Sequence, residues 1–354
     1  MKWKEFFLVV MSVCSQLREC STEDESKKEE PSTSVHTGKK ERKLPYDNVR
    51  LGVYVLVDSN IGNESATLED YKFYAAALLA GVNIRLLGMK DPAVKLGLLG
   101  VHNLSAEEKQ NMSDGGAIKF NGTWGVVQSI NNTKLRAKEA DMIYVMTGDD
   151  IPSGHNFTVK GVASTRGACT EDNIAIGNHV LWSYGGYTTF LRNIAKLIGA
   201  VSFECDWNDD DLFDNCSRKH MLAHVSRMWP YCFGHTMLRS WVFYYRLPGE
   251  RLNATSFCES RLPGTKPCSE TTDGNQTYPT CKLKCCPSSG DNKTSQEVDL
   301  PDGTLCQNST YDSHKGACYK KECKSTPTLL TYATPGDSRR SQVVQPSTES
   351  PVSS

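Results

Sequence analysis

The chain has 354 residues, with 40 lysines and arginines against 41 aspartates and glutamates, for a formal net charge of −1. That length allows one or two domains with a sizeable core. The near-neutral balance argues against a nucleic-acid binder and against long-range electrostatic steering.

Met1 to Cys20 reads as a secretory signal, with Lys2 and Lys4 as the charged start and Phe6 to Met11 as the apolar run. The run is too short to span a bilayer, and no later stretch approaches ~20 apolar residues. Cleavage after Cys14 would leave Cys20 in the mature chain and an odd number of cysteines, whereas cleavage near Cys20 would leave an even set; both stay open. Residues 21–45 are rich in Glu, Lys, Ser and Thr, which predicts a disordered linker. Within it, Lys39-Lys40-Glu41-Arg42-Lys43 reads equally as a basic processing site or as a solvated charge run. Export agrees with the 14 cysteines, which suit a disulfide-permissive compartment. It also agrees with a high density of Asn-x-Ser/Thr sequons. The glycosylation candidates are Asn63, Asn103, Asn111, Asn121, Asn131, Asn156, Asn253, Asn275, Asn292 and Asn308. Asn215 heads a further sequon, but it precedes Cys216 and is expected to be buried or blocked.

From Val49 to Val57 apolar residues alternate with others, the period of a strand. Thr67-Leu68-Glu69-Asp70 is a helix N-cap signature, continued by Tyr71, Tyr74, Ala75 and Leu78. Gly81 is expected to end that helix, and Val82 to Leu87 to form a second strand. Ser105-Ala106-Glu107-Glu108 opens a short helix, and Trp124 to Ala137 reads as another. Asp141 to Thr147 is a buried strand. Strands alternating with helices predict a layered α/β sheet.

Residues 188–203, Thr-Thr-Phe-Leu-Arg-Asn-Ile-Ala-Lys-Leu-Ile-Gly-Ala-Val-Ser-Phe, carry the main functional signal. Leu191, Ile194, Ala195 and Ile198 form an apolar stripe at helical spacing. Gly199 stands where a left-handed cap closes a helix. Arg192 and Lys196 share a face. With His at 192, 196 and 202 and Glu at 193, the segment would be H-E-x-x-H-x-x-G-x-x-H, the zinc helix of metzincin proteases. Gly161-Val162-Ala163 followed by Gly167-Ala168-Cys169, and then Asn173 to Ile176, extend the match upstream. On these residues the chain resembles secreted reprolysin-type metalloproteases, especially the salivary proteins of blood-feeding ticks. The resemblance covers about Asn48 to Lys324.

The resemblance implies a metzincin-like domain with a mixed sheet over residues 46–257 and a small disulfide-rich module over 258–324. It also implies that this chain is degenerate at the zinc site. Arg192 has no lone pair to offer a metal, Lys196 would first have to lose a proton, and Ser202 is a poor third ligand. Asn193 cannot act as general base. The expectation is a pseudoprotease with no catalytic residues, no metal and no cofactor; an active zinc endopeptidase with other ligands and a structural glycoprotein are the alternatives. His220 and His224 have the spacing for one metal on a helix, but the family places a tight turn there, with Met221 as the counterpart of the methionine beneath the zinc. The segment Gly161, Val162, Ala163 and Ser164 corresponds to the cleft edge strand, which pairs with extended peptides through backbone groups. Arg192 and Lys196 either receive a carboxylate there or pair with Glu204, Asp206 or Asp209 to Asp211. Met237 to Tyr245 would be the closing helix.

Disulfide candidates are Cys169, Cys205, Cys216 and Cys232 in the larger domain. In the module they are Cys258, Cys268, Cys281, Cys285, Cys286, Cys306, Cys318 and Cys323. The module is too poor in apolar residues to stand without crosslinks, and Asp302-Gly303-Thr304-Leu305-Cys306 resembles cysteine-rich modules that flank reprolysin domains. Residues 325–354 are rich in Ser, Thr and Pro and predict a disordered tail. The partners implied are extracellular proteins or peptides, with no nucleic acid and no membrane span.

Overall fold

The protein is described from a computed structural model covering residues 48–62, 65–87, 89, 93–114, 117–118, 140–152, 158–201, 205, 213–228, 232, 246–268, 278, 280–288, 294–307 and 315–325. The expected signal and linker lie outside these residues, as does the expected tail except for Ser325, which ends a strand. Also outside them are the helices expected at Trp124–Ala137 and Met237–Tyr245, along with Ser202, Glu204, Asp206, Asp209 to Asp211, Asn63, Asn121, Asn131, Asn156, Asn275, Asn292 and Asn308.

A five-stranded mixed sheet organises the larger part. In chain order its strands are β1 (Asn48–Val57), β2 (Ala93–Asn103), β3 (Met142–Thr147), β4 (Gly161–Ala163) and β5 (Ile174–Asn178). Their spatial order is β2-β1-β3-β5-β4. All neighbours run parallel except β4, which is antiparallel to β5 at the sheet edge. The alternation of β1 has a direct consequence. Val49, Leu51, Val53, Val55 and Val57 face one core, under the long helices, while Tyr54 and Leu56 face a second core on the opposite side.

Helix α1 spans Leu68–Leu86 and starts with a capping box in which Thr67 and Asp70 satisfy each other's backbone N–H groups. It runs through Gly81, correcting both the expected stop and the expected strand at Val82–Leu87. Ala75, Leu78, Leu79, Val82 and Leu86 continue one buried helical stripe, so the local alternation of Val82, Ile84 and Leu86 loses to the longer period. Gly81 is there because the Tyr187 ring packs where a side chain would stand. Asn83 is used for sheet closure. Its amide donates to the Leu96 carbonyl at 2.8 Å and accepts from the Leu96 N–H at 2.7 Å, covering part of the β2 edge. The second strand is therefore β2, eleven residues long, whose Gly97 and Gly100 obscured its apolar alternation.

A short helix α2, Ala106–Met112, follows with its own capping box at Ser105 and Glu108. Helix α3, Tyr187–Ile198, packs Phe190, Leu191, Ile194, Ala195, Leu197 and Ile198 into the first core. Full burial of each large side chain there contributes roughly 1.5–3 kcal/mol. Gly199 ends it at φ 118°, with its N–H donating to Ala195 and Lys196 carbonyls. Helix α4, Asn215–Met228, occupies the place where the resemblance implied a tight turn. Met221 is fully buried within that helix, so it is a core residue on regular backbone and not a Met-turn.

The C-terminal part consists of α5 (Ala254–Arg261) and two three-stranded sheets. The first holds β6 (Thr265–Pro267), β7 (Lys282–Pro287) and β8 (Gln296–Asp299). The second holds β9 (Leu305–Gln307), β10 (Lys315–Tyr319) and β11 (Glu322–Ser325). Its small core is built on Phe257, Tyr278, Leu283, Leu300 and half-cystines. Four disulfides crosslink it: Cys258–Cys285, Cys268–Cys286, Cys281–Cys318 and Cys306–Cys323. The larger part carries Cys169–Cys232 and Cys205–Cys216. Among the described residues no helix is long and apolar enough to cross a membrane.

Candidate functional site

The three described positions of the degenerate motif lie on α3, and they do different things. Asn193 is 2% exposed. Its Nδ2 donates to the Ile176 carbonyl of β5 at 3.0 Å and approaches the Tyr144 hydroxyl at 3.5 Å. The Tyr144 hydroxyl lies 3.1 Å from His179 Nε2, and His179 Nδ1 lies 3.1 Å from the Tyr74 hydroxyl. Burial pushes the His179 imidazole down to about 3, so it is neutral. A consistent chain has Asn193 donating to Tyr144, Tyr144 donating to Nε2, and Nδ1–H donating to Tyr74. Asn193 thus belongs to a buried polar network linking α3, β3, β5 and α1. No motif points to this network, because its three ring residues are far apart in the chain.

Arg192 and Lys196 share the half-buried face. Burial first, and the neighbouring Arg261 guanidinium second, hold the Arg192 pKa below its ordinary value. Burial and then Arg192 do the same for Lys196. A run of like charges, Arg261–Arg192–Lys196, therefore lies along this side of α3.

These residues do not suit zinc. The amide of Asn193 is committed to the Ile176 carbonyl, Arg192 has no lone pair, and a single amine at Lys196 is not a zinc site. Among the described residues, the groups with metal-compatible donors are Cys205–Cys216–His220, Cys281–Cys306–Cys318 and Asp141–Cys169–Cys232. Every cysteine in them is oxidised in a disulfide, which removes the thiolate a metal requires. His220 and His224 do share a helix, but they have different surroundings. His220 sits by the Cys205–Cys216 bridge, while His224 is buried and meets the Ala168 backbone.

Edge strand β4 lies against α3. A side chain on Gly161 would run into the Thr189 methyl and into Asn193 Nδ2. The Lys160 carbonyl accepts from the Asn178 N–H at 2.8 Å, and the Ser164 N–H donates to Ile174 at 3.4 Å. By the alternation of an antiparallel ladder, the backbone groups of Gly161 and Ala163 then point away from β5, to the side of β4 on which no strand pairs among the described residues. All four expected edge residues, Gly161, Val162, Ala163 and Ser164, are half-buried.

Beside this edge is a cavity of about 240 Å³ between the start of α3 and the C-terminal module. Thr188, Thr189 and Arg192 of α3 line it, together with Lys160 just before β4. Arg85, Arg261, Asp299, Asp302 and Lys321 supply its other charges. Asp302 binds Arg85 through Nε at 2.6 Å and Nη2 at 2.8 Å, and Lys321 meets Asp299 at 2.9 Å. These pairs engage the two carboxylates of the lining, which also includes Lys160, Arg192 and Arg261. No side chain caps the first turn of α3, whose N-cap is Gly186. The loop before it holds Trp182 and Tyr184 at positive φ, 63° and 51°.

Of the glycosylation candidates among the described residues, Asn103, Asn111 and Asn253 are exposed. Asn253 uses its side chain to cap α5. Asn215, expected to be buried or blocked, is exposed at the first position of α4.

No protein-family model and no curated protein matches the chain. One solved structure, described as "Structure of a chaperone-substrate complex", aligns at 12% identity with a TM-score of 0.29. The alignment covers 44% of this chain and 24% of that one. A likeness at that level carries no argument about fold or function.

Proposed function

We propose that this is a secreted, reprolysin-like pseudoprotease that binds extracellular proteins without cutting them. The observation that carries the reading is the state of α3. The residue in the catalytic glutamate's place, Asn193, is bonded into the core, and the adjacent ligand positions hold two cations. The mixed sheet with a single antiparallel edge strand beside this helix supports the metzincin part of the reading. Six disulfides among the described residues support export.

In this reading an extended segment of the partner pairs with the outward backbone groups of Gly161 and Ala163. Strand addition draws its affinity from main-chain hydrogen bonds, so it does not need the metal. By resemblance, the partners are host haemostatic, matrix or immune proteins.

The test is selection of a phage-displayed random peptide library on the full chain, with Ala163→Pro as the counter-target. Proline at 163 deletes an outward N–H while leaving the ladder to β5 intact. Peptides that bind the wild type, lose binding to Ala163→Pro and stay uncut with added zinc are the expected result. Retained binding on Ala163→Pro, or zinc-dependent cleavage of the selected peptides, contradicts the proposal.

A further inference from the structure

We propose that Cys169–Cys232 is a reactive disulfide, opened by thiol–disulfide exchange with a small thiol, and that Asp141 gives its proton to the departing Cys232 sulfur. This is independent of the peptide-binding reading above.

Three observations carry it. The first is the place of the carboxyl. Asp141 stands just before β3 and is 6% exposed. Its Oδ2 accepts the Gly52 N–H of β1 at 2.6 Å. Its Oδ1 lies 3.6 Å from Cys169 Sγ and 3.5 Å from Cys232 Sγ. Among the described residues these sulfurs are the polar contacts of Oδ1, and in the bridge they carry no proton. Opening the bridge gives Oδ1 two S–H donors, so the buried acid favours the open form.

The second is the asymmetry of the two halves. Cys169 is half-buried on a turn, whereas Cys232 is buried in the first core. A small thiolate reaches the Cys169 sulfur and expels Cys232 into apolar surroundings, where a bare thiolate is costly. An acid in contact with Cys232 removes that cost. Cys169 is also held at φ 62°, a region unfavourable for any residue but glycine, so opening releases strain.

The third is what the bridge holds. It joins residues 63 apart and closes a loop that contains β5, α3 and α4. The turn before Cys169 covers the end of α3: the Arg166 and Ala168 N–H groups donate to the Lys196 and Leu197 carbonyls at 2.9 and 3.0 Å. Opening therefore loosens the end of the helix that carries Arg192, Asn193 and Lys196.

The steps balance. A thiolate forms a bond to Cys169 Sγ, and the electron pair of the broken S–S bond passes to Cys232, which takes the Asp141 proton. A second thiolate attacks the thiol-derived sulfur of the mixed disulfide. Cys169 leaves as a thiolate and is protonated from water. Two thiols are oxidised to their disulfide and the two bridge sulfurs are reduced. Burial, opposed by the Gly52 N–H, pushes the Asp141 carboxyl up to about 7, and no charged side chain among the described residues adds to this. The proton is therefore in place at neutral pH and below.

The test treats the native full chain with reduced glutathione, alkylates the free thiols and maps every cysteine by mass spectrometry. The opening rate of Cys169–Cys232 is divided by that of Cys268–Cys286, whose Cys268 is exposed, so that the glutathione thiolate fraction cancels. Glutathione should appear on Cys169 and the alkyl group on Cys232. The ratio should be flat up to about pH 7 and fall about tenfold per pH unit above it. In Asp141→Asn, whose amide oxygen still accepts the Gly52 N–H, it should be about a hundredfold lower and independent of pH. Hydrogen exchange at residues 195–200 should accelerate several-fold once the bridge is open. Glutathione on Cys232, a ratio flat across the pH range, an Asp141→Asn ratio within a few-fold of wild type, or a bridge that stays closed while Cys268–Cys286 opens would overturn the proposal. If Asp141→Asn does not fold, the wild-type pH profile decides alone, and unchanged exchange at residues 195–200 overturns the link to α3.

Discussion

Substituting Asp302 tests how the module is held against the larger part. Its carboxylate is 1% exposed and accepts four hydrogen bonds: Arg85 Nε at 2.6 Å, Arg85 Nη2 at 2.8 Å, the Tyr187 hydroxyl at 2.7 Å and the Lys320 N–H at 3.0 Å. Asp302→Ala leaves a guanidinium that is 12% exposed, and a buried phenol, facing no acceptor. Removing one member of a buried ion pair costs about 3–5 kcal/mol, and stranding the hydroxyl about 1–3 kcal/mol. These costs overlap, so about 4 kcal/mol is expected for docking, or a rise of roughly a thousandfold in the undocked population. The module's own four disulfides remain, so it should detach without unfolding.

Hydrogen exchange read by mass spectrometry should therefore accelerate at Leu300 to Gln307 and at the end of α1, while β7 and β8 keep their protection. The Arg85→Met/Asp302→Leu double variant should recover most of the loss, since a buried pair exchanged for apolar groups is close to neutral. Exchange in Asp302→Ala within a few-fold of wild type would place the docking energy elsewhere than in this ion pair.

Three further outcomes follow from particular residues. Gly199→Ala should destabilise by about 2 kcal/mol or more in urea denaturation, because φ 118° is unfavourable for an L-residue and the new methyl meets His224. Asp141 is buried, accepts the Gly52 N–H at 2.6 Å and faces the Cys169–Cys232 bridge, whose sulfurs carry no proton to donate. Burial pushes its carboxyl up to about 7 against that N–H, so the fold favours the protonated form. Its stabilising effect is complete below the ordinary value of 3.8 and fades as pH rises to about 7. Asp141→Asn should accordingly flatten the fall in melting temperature between pH 4 and pH 7, and an unchanged slope would contradict this. Asn193→Glu restores the family's catalytic side chain but sets a carboxylate against the Ile176 carbonyl. It should cost about 2–4 kcal/mol in denaturant titration and bring no peptide hydrolysis.

Local signals in the sequence were reliable where one short rule governed the outcome. The capping boxes at Thr67 and Ser105, the alternation of β1 and the glycine that closes α3 needed only neighbouring residues. The error at Val82–Leu87 arose because six residues fit both periods, and the decision came from distant partners: Leu96 for Asn83, Asp302 for Arg85 and Tyr187 for Gly81. Only the resemblance points to a turn at Met221, and the segment Asn215–Met228 contains neither glycine nor proline to break the helix it forms. At the candidate site, the sequence identified Arg192, Asn193 and Lys196 as replacements. It could not show that Asn193 is tied to Tyr144 and His179, nor that Lys160, Arg261 and Asp302 share one cavity. These contacts join segments more than a hundred residues apart in some cases, as with Tyr187 and Asp302, and no spacing rule connects them.

With Arg192, Asn193 and Lys196 at the ligand and base positions, α3 is proposed to hold no zinc. The decisive measurement is metal analysis of the purified full chain before and after dialysis against a chelator. The expected result is no stoichiometric zinc, no change in melting temperature on chelation and no peptide cleavage. One equivalent of tightly held zinc, with hydrolysis that the chelator abolishes, would contradict it.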